Sequence, residues 1–294
     1  MSTLLYTPNA SAHDSHAELA WLLTALHDPL ISLKSGLQEC SDLLAPREPG
    51  ATLVLSSRRS EHLKGFVTRV GSRIVKGEIH LRVPSLPPPK GQSTYKLSVS
   101  SLPSAPALGI PQLISARTSV NAALDLIDAT QWTGNRNDAG FVSGQLRLLH
   151  ECVSEAKEAL KGDATAESTP ADSVDPTTFT PPLPSRVALN FSITDAAVIL
   201  NVRVSDHGFG EDSLSGFSIR ERLATAWGGS QRGSPQGGSQ MQSVDGDEPD
   251  LRVRDKVRVE SLDPNLMAAL AKLVSLERSV DTWRRALDVV MRDV

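Results

Sequence analysis

Leucine and its apolar substitutes recur along much of this chain at intervals of seven residues. In the first patterned segment, about Asp14 to Leu44, Leu23, Leu30, Leu37 and Leu44 form one row. Leu19, Leu26, Leu33 and Cys40 form a second. The rows are offset by four and three residues, which is the a/d arrangement of a helical seam. Pro29 interrupts the pattern. Inside a helix it costs about 3 kcal/mol; in a first turn it costs little, and Asp28 before it is a good N-cap. The pattern predicts a kink or break near Asp28-Pro29, with both halves on one seam. Pro46, Pro49 and Gly50 end the segment.

From Ala51 to Ser101 the period changes from seven to two. Thr52 to Leu55, Leu63 to Val70, Ile74 to Val83 and Thr94 to Val99 read as strands, punctuated by Gly71 and Gly77 as turns or bulges. Pro84 to Pro89 reads as a rigid loop. Its PxxP spacing also suits polyproline recognition, but so short a motif is common by chance.

Helical periodicity returns at Pro111. Leu113, Val120 and Ile127 are seven apart, with Ala116 and Ala123 in the companion row. After a turn at Thr130 to Asn137, a helix from about Asp138 to Leu160 carries Val142, Leu149 and Ala156 beside Leu146, Val153 and Leu160. The short connection predicts an antiparallel hairpin. Residues 162–183 are rich in Pro, Ser, Thr and Ala and read as a linker. Arg186 to Ile193 and Ala197 to Val204 read as two strands. Residues 206–249 read as a flexible loop, with disorder expected over 228–247. Asp250 to Glu260 alternates strictly, as one more strand. Asp263-Pro264 opens the last helix as N-cap and first residue. There Leu266, Leu273, Val280 and Leu287 line up beside Ala269, Leu276, Trp283 and Val290.

Apolar stripes of this kind must be buried against something. The expected fold is therefore α+β: an antiparallel four-helix bundle with heptad seams, plus a smaller antiparallel β domain formed from two inserts. The bundle takes residues 14–45, 111–161 and 263–294; the β domain takes 51–101 and 184–260. The seams have a second reading, a zipper with another chain. Four compatible segments in one chain favour the intramolecular reading and a monomer.

Composition narrows the function. Of 294 residues, 39% are hydrophobic but only 4% aromatic, a palette suited to helix seams rather than to an aromatic-lined pocket. The formal charge of −4 gives no reason to expect nucleic acid. Two cysteines, Cys40 and Cys152, are too few for a disulfide framework and fit a reducing compartment. No apolar run approaches the roughly 18 residues of a membrane span, and the first residues lack the pattern of a signal peptide.

Candidate chemistry is sparse. His13, Asp14 and His16 resemble metal ligands but lack a fourth group at a set spacing. Gly208 and Gly210 follow a strand, as in dinucleotide loops, without the third glycine. No nucleophile-elbow, zincin or phosphate-loop string occurs, so no catalytic, cofactor or metal residue is assigned. One feature stands out. Arg252, Arg254, Lys256 and Arg258 alternate with Val253, Val257 and Val259, placing four cations on one strand face. Such a stripe can meet an acidic partner or an anionic lipid surface. It can equally be a solvated face whose charge prevents edge pairing.

Several local strings, in order along the chain, resemble the Rogdi leucine-zipper family, whose fungal-type members are subunits of the RAVE complex. The strings are Glu18-Leu19-Ala20-Trp21-Leu22-Leu23, His62-Leu63-Lys64-Gly65-Phe66-Val67, Ser115-Ala116-Arg117 with Val120 and Leu124, Pro181-Pro182-Leu183-Pro184-Ser185, and Lys256-Val257-Arg258-Val259-Glu260. The collinear set carries the likeness. Pro29 and the Gly/Ser/Gln stretch around Gly228 to Gly238 depart from it. The resemblance implies a non-catalytic subunit of a RAVE-type complex that promotes assembly of the vacuolar proton-pumping ATPase (V-ATPase) from its peripheral and membrane sectors. The implied partners are a large β-propeller-containing subunit and peripheral-sector V-ATPase subunits. The implied location is the cytoplasm, with recruitment to a vacuolar or endosomal membrane through those partners. From the residues alone, a coiled-coil adaptor in vesicle or endosomal traffic is the alternative.

Overall fold

The structure is a computed structural model and describes residues 8–57, 61–130, 138–163, 172–205 and 253–293. The first heptad segment forms two helices, α1 (Pro8–Ala25) and α2 (His27–Leu44). The break falls at Leu26, two residues before the predicted place, and the chain there keeps helical dihedrals. Hydrogen bonds from Leu26 N to Leu22 O (3.0 Å) and from Leu30 N to Leu26 O (3.1 Å) run across it. Pro29 lies in the first turn of α2, where a missing N–H is harmless. Asp28 is therefore inside the helix and is not its cap. Leu22, Leu26, Leu30, Leu33, Leu37, Cys40 and Leu44 are all buried, so both halves serve one face.

Strands β1 (Ala51–Ser56), β2 (Leu63–Val70), β3 (Arg73–Leu81), β4 (Tyr95–Val99), β5 (Leu108–Gly109) and β6 (Phe179–Thr180) make one antiparallel sheet. Its order is β1-β2-β3-β4-β6, with β5 also pairing β3. Register matches Leu53 to Val67, Leu63 to Leu81 and Ile79 to Leu97, so buried residues stack in cross-strand rows. Gly77 faces Val67, where a Cβ would meet the valine side chain at 2.8 Å. A bulge at Thr68/Arg69 breaks the alternation, and Val67, Thr68 and Arg69 are buried in succession. The proline loop is a tight turn: Leu86 N donates to Val83 O (3.1 Å) and the Leu86 side chain is buried.

Helices α3 (Pro111–Thr130) and α4 (Ala139–Lys161) pack against each other. Asp138 caps α4, its side chain accepting from Phe141 N at 3.1 Å. A second antiparallel sheet follows: β7 (Val187–Thr194), β8 (Ala197–Ser205) and β9 (Val253–Leu262), in that order. Asp195 and Ala196 both have positive φ, the two-residue type I′ turn that matches strand twist. The last helix, α5 (Pro264–Asp293), starts as its sequence predicts. Asp263 Oδ1 accepts from Asn265 N (3.0 Å) and Leu266 N (3.4 Å).

The predicted architecture needs correction. The α+β class stands, but the antiparallel four-helix bundle beside one smaller β domain does not form. There are five α-helices among the described residues, and two separate sheets in place of one β domain. The helical rows join a single hydrophobic core that also contains the buried faces of both sheets. α3 and α4 both contact β7, and β1 contacts β9, so no helical unit stands apart from the strands. Heptad spacing identifies which residues are buried; it does not identify what buries them. The predicted flexible loop over 206–249 lies outside the described residues.

One buried ion pair ties the first sheet to the start of α5. Arg69 Nε donates to Asp263 Oδ2 at 2.7 Å, with both side chains almost wholly buried. Arg69 Nη1 also donates to Gly71 O. Asp263 thus caps α5 with one oxygen and holds the bulge of β2 with the other.

Candidate partner-binding surface

Strand β9 shows why its cations face outward. Val257, Val259 and Ser261 are buried, so the alternate residues Arg254, Lys256, Arg258 and Glu260 lie on the exposed face. Arg252 is outside the described residues. The structure therefore brings Arg254, Lys256 and Arg258 together on one strand face. Asp255 is turned the other way, accepting from Ser85 N (3.0 Å) and from the Ser85 hydroxyl, which fastens the start of β9 to the proline loop.

Sequence reading missed a further cation on this face. Register places Arg203 of β8 directly opposite Lys256, with Asn201 opposite Arg258. Arg203 Nε and Nη2 are buried without a hydrogen-bond partner. Like charges directly opposed across strands repel, so this face favours negative charge near it. The signal was present in the alternation Asn201-Val202-Arg203-Val204, but strand pairing was needed to use it.

The same face continues onto β7, where Asn190 opposes Asn201. Asn190, Asn201 and Arg258 thus form a row across three strands. This row lines a cavity of about 530 Å³, walled by Glu158, Ala159 and Gly162 at the end of α4, by residues 172–175, by residues 106–109 before α3, and by Pro111 and Gln112 at its start. Glu158 is engaged by Lys157 (3.1 Å), and Asp175 accepts from Thr177 N (2.8 Å) and the Thr177 hydroxyl, which holds its carboxyl below the usual range. These carboxylates serve the fold.

No group of three or more His, Cys, Asp or Glu placed to hold a metal ion occurs among the described residues. His16 is exposed on α1. Burial pushes the Cys40 thiol up to about 11, and burial with neighbouring Glu155 and Glu151 raises that of Cys152. Both thiols stay protonated at neutral pH and are poor nucleophiles. Among the described residues, no helix is long and apolar enough to cross a membrane.

Comparison with known proteins bears on what this surface serves. Residues 18–288 match the family model described as Rogdi leucine zipper containing protein. The chain belongs to that Rogdi family. The match runs from the second half of α1 through most of α5, so both sheets lie within it. The chain is also similar to a protein of Schizosaccharomyces pombe named regulator of V-ATPase in vacuolar membrane protein 2. The two are 24% identical over a 294-residue alignment covering 90% of each.

Proposed function

We propose that this Rogdi-family chain is a non-catalytic subunit of a RAVE-type complex that promotes assembly of the V-ATPase from its peripheral and membrane sectors. The observation that carries the reading is likeness along almost the whole chain to a named V-ATPase regulator. Its work is binding, to a large β-propeller-containing subunit and to peripheral-sector V-ATPase subunits. It is cytoplasmic and reaches the vacuolar or endosomal membrane through them. Burial of the heptad rows in the chain's own core counts against a traffic adaptor built on intermolecular zippers. Affinity purification with mass spectrometry tests the proposal. Recovery of a propeller protein and peripheral V-ATPase subunits, with poor vacuolar acidification in a deletion strain, is expected. Normal acidification with neither class of partner recovered sinks it.

The basic face of β9 is our candidate contact for an acidic partner surface. Charge reversal at Arg254 and Arg258 together is expected to weaken partner pull-down and flatten its salt dependence. If both stay as in the parent protein, the stripe is a solvated face only.

A further inference from the structure

We infer that the outward face of the first sheet is a docking surface for a membrane rich in anionic lipid. This inference does not depend on the V-ATPase reading. It adds a direct lipid contact to recruitment through partners.

The face follows from alternation and register. Leu53, Leu55, Leu63 and Val67 are buried, so the residues that alternate with them on β1 and β2 turn outward. Val54 and Phe66 oppose each other there, 68% and 43% exposed. Three lysines surround this apolar pair. Lys64 lies two residues before Phe66 on β2. Lys96 of β4 shares its row, because Lys64 opposes His80 of β3 and His80 opposes Lys96. Lys76 of β3 opposes Thr68, two residues beyond Phe66. All three lysines are exposed, and none makes an ion pair among the described residues. Among the described residues of these rows Glu78 is the one carboxylate, and it lies 2.7 Å from His80 Nε2.

The charges are close enough to act together. With strands about 4.8 Å apart and residues about 3.4 Å apart, the lysines lie roughly 10–15 Å from one another. That is near the Debye length of about 10 Å at about 0.1 M salt, so one anionic surface meets all three. The whole chain carries a charge of −4, so this face reverses the sign of its surroundings.

The kind of cation separates lipid from protein as the occupant. Protein interfaces are enriched in arginine and depleted in lysine, and the planar guanidinium is the group that pairs two-pronged with a carboxylate. Here the permanent cations are all lysine. A lysine carries a compact charge on a flexible apolar stem, so its head reaches a lipid headgroup while the stem lies along apolar surface. Interfacial membrane binding scales with buried apolar area plus attraction to anionic headgroups, and this face offers both.

Flotation of the purified full chain with lipid vesicles tests the inference. Binding is expected to vesicles of phosphatidylcholine with phosphatidylserine, weakening as salt rises, and not to phosphatidylcholine alone. Each lysine near an anionic surface contributes about fivefold, so Lys64→Gln, Lys76→Gln and Lys96→Gln combined are expected to weaken binding on the order of a hundredfold. The three side chains are exposed, so melting is expected to match the parent protein. Should the triple variant melt lower, the three single substitutions, each losing about fivefold, decide in its place. Charge reversal at Arg254 and Arg258 is the control and is expected to leave vesicle binding intact. No binding to the phosphatidylserine vesicles, equal binding to neutral ones, or binding that survives the lysine substitutions overturns the inference. Loss on the β9 reversal instead would move the contact to that strand. Lysines needed for pull-down of a protein partner, without vesicle binding, would make an acidic protein surface the occupant.

Discussion

Asp263 turns one carboxylate oxygen to the amides that open α5 and the other to Arg69 of β2. The sequence predicted the first role from Asp263-Pro264; the second depends on a bulge 194 residues away. Truncating one member of a buried ion pair costs about 3–5 kcal/mol, a large part of a typical stability of about 5–15 kcal/mol. Asp263→Ala is expected to lower the urea unfolding midpoint by a corresponding amount. Glu277 on α5 gives a pH signature instead. Burial alone would raise its carboxyl, but hydrogen bonds from Lys157 and Ser154 and the nearby charges of Lys157 and His150 outweigh that and hold it low. Lys157 Nζ lies 2.8 and 2.9 Å from its two oxygens. Because the folded value is depressed, this contribution is present above the ordinary carboxylate range near 4.3 and is lost as pH falls through the folded value. Glu277→Gln is expected to cost about 1–2 kcal/mol at pH 7 and progressively less as pH falls below the ordinary carboxylate range, read from denaturation across an acid pH series.

At the scale of elements, periodicity was a reliable guide to burial. Leu113, Val120 and Ile127, and then Leu266, Leu273, Val280 and Leu287, are all at most 1% exposed. The period of two equally placed Leu53, Leu55 and Ile79 in the first sheet. Leu273→Ala leaves a cavity costing about 2–5 kcal/mol and is expected to lower the melting temperature of purified protein. Unchanged melting with lost self-association would instead favour a zipper with another chain. Gly162 is the sharper element-level case. It ends α4 at φ 61° with its N–H on Glu158 O (2.8 Å), and α4 there abuts Ile193. Composition marked Gly162 only as the start of a linker, because proximity to β7 is a property of the assembled chain. Gly162→Ala is expected to destabilise by more than about 1 kcal/mol, through both positive φ and the collision.

Across the whole molecule, local pattern and global arrangement part company. The strands and helices were legible one by one, since each needs only its own alternation or heptad. Which sheet a strand joins was not. Phe179 and Thr180, inside a stretch that composition reads as linker, pair with β4, and Phe179 is buried. Nor did heptads show that α3 and α4 would cover β7. The candidate surface was half legible: the cations of β9 came from alternation, while Arg203 and the Asn190–Asn201–Arg258 row needed register.

The packing of α2 against α5 has a consequence for the order of events during synthesis. Lys272 of α5 pairs with Glu39 of α2, 233 positions earlier in the chain, and the Cys40 thiol lies against the Ala269 carbonyl. The α2 row of Leu33, Leu37 and Cys40 thus has part of its cover in an element made long after it. Until α5 emerges, a nascent chain presents that row to solvent, where it is open to chaperones and proteases. The late helix sets when the early helices become safe.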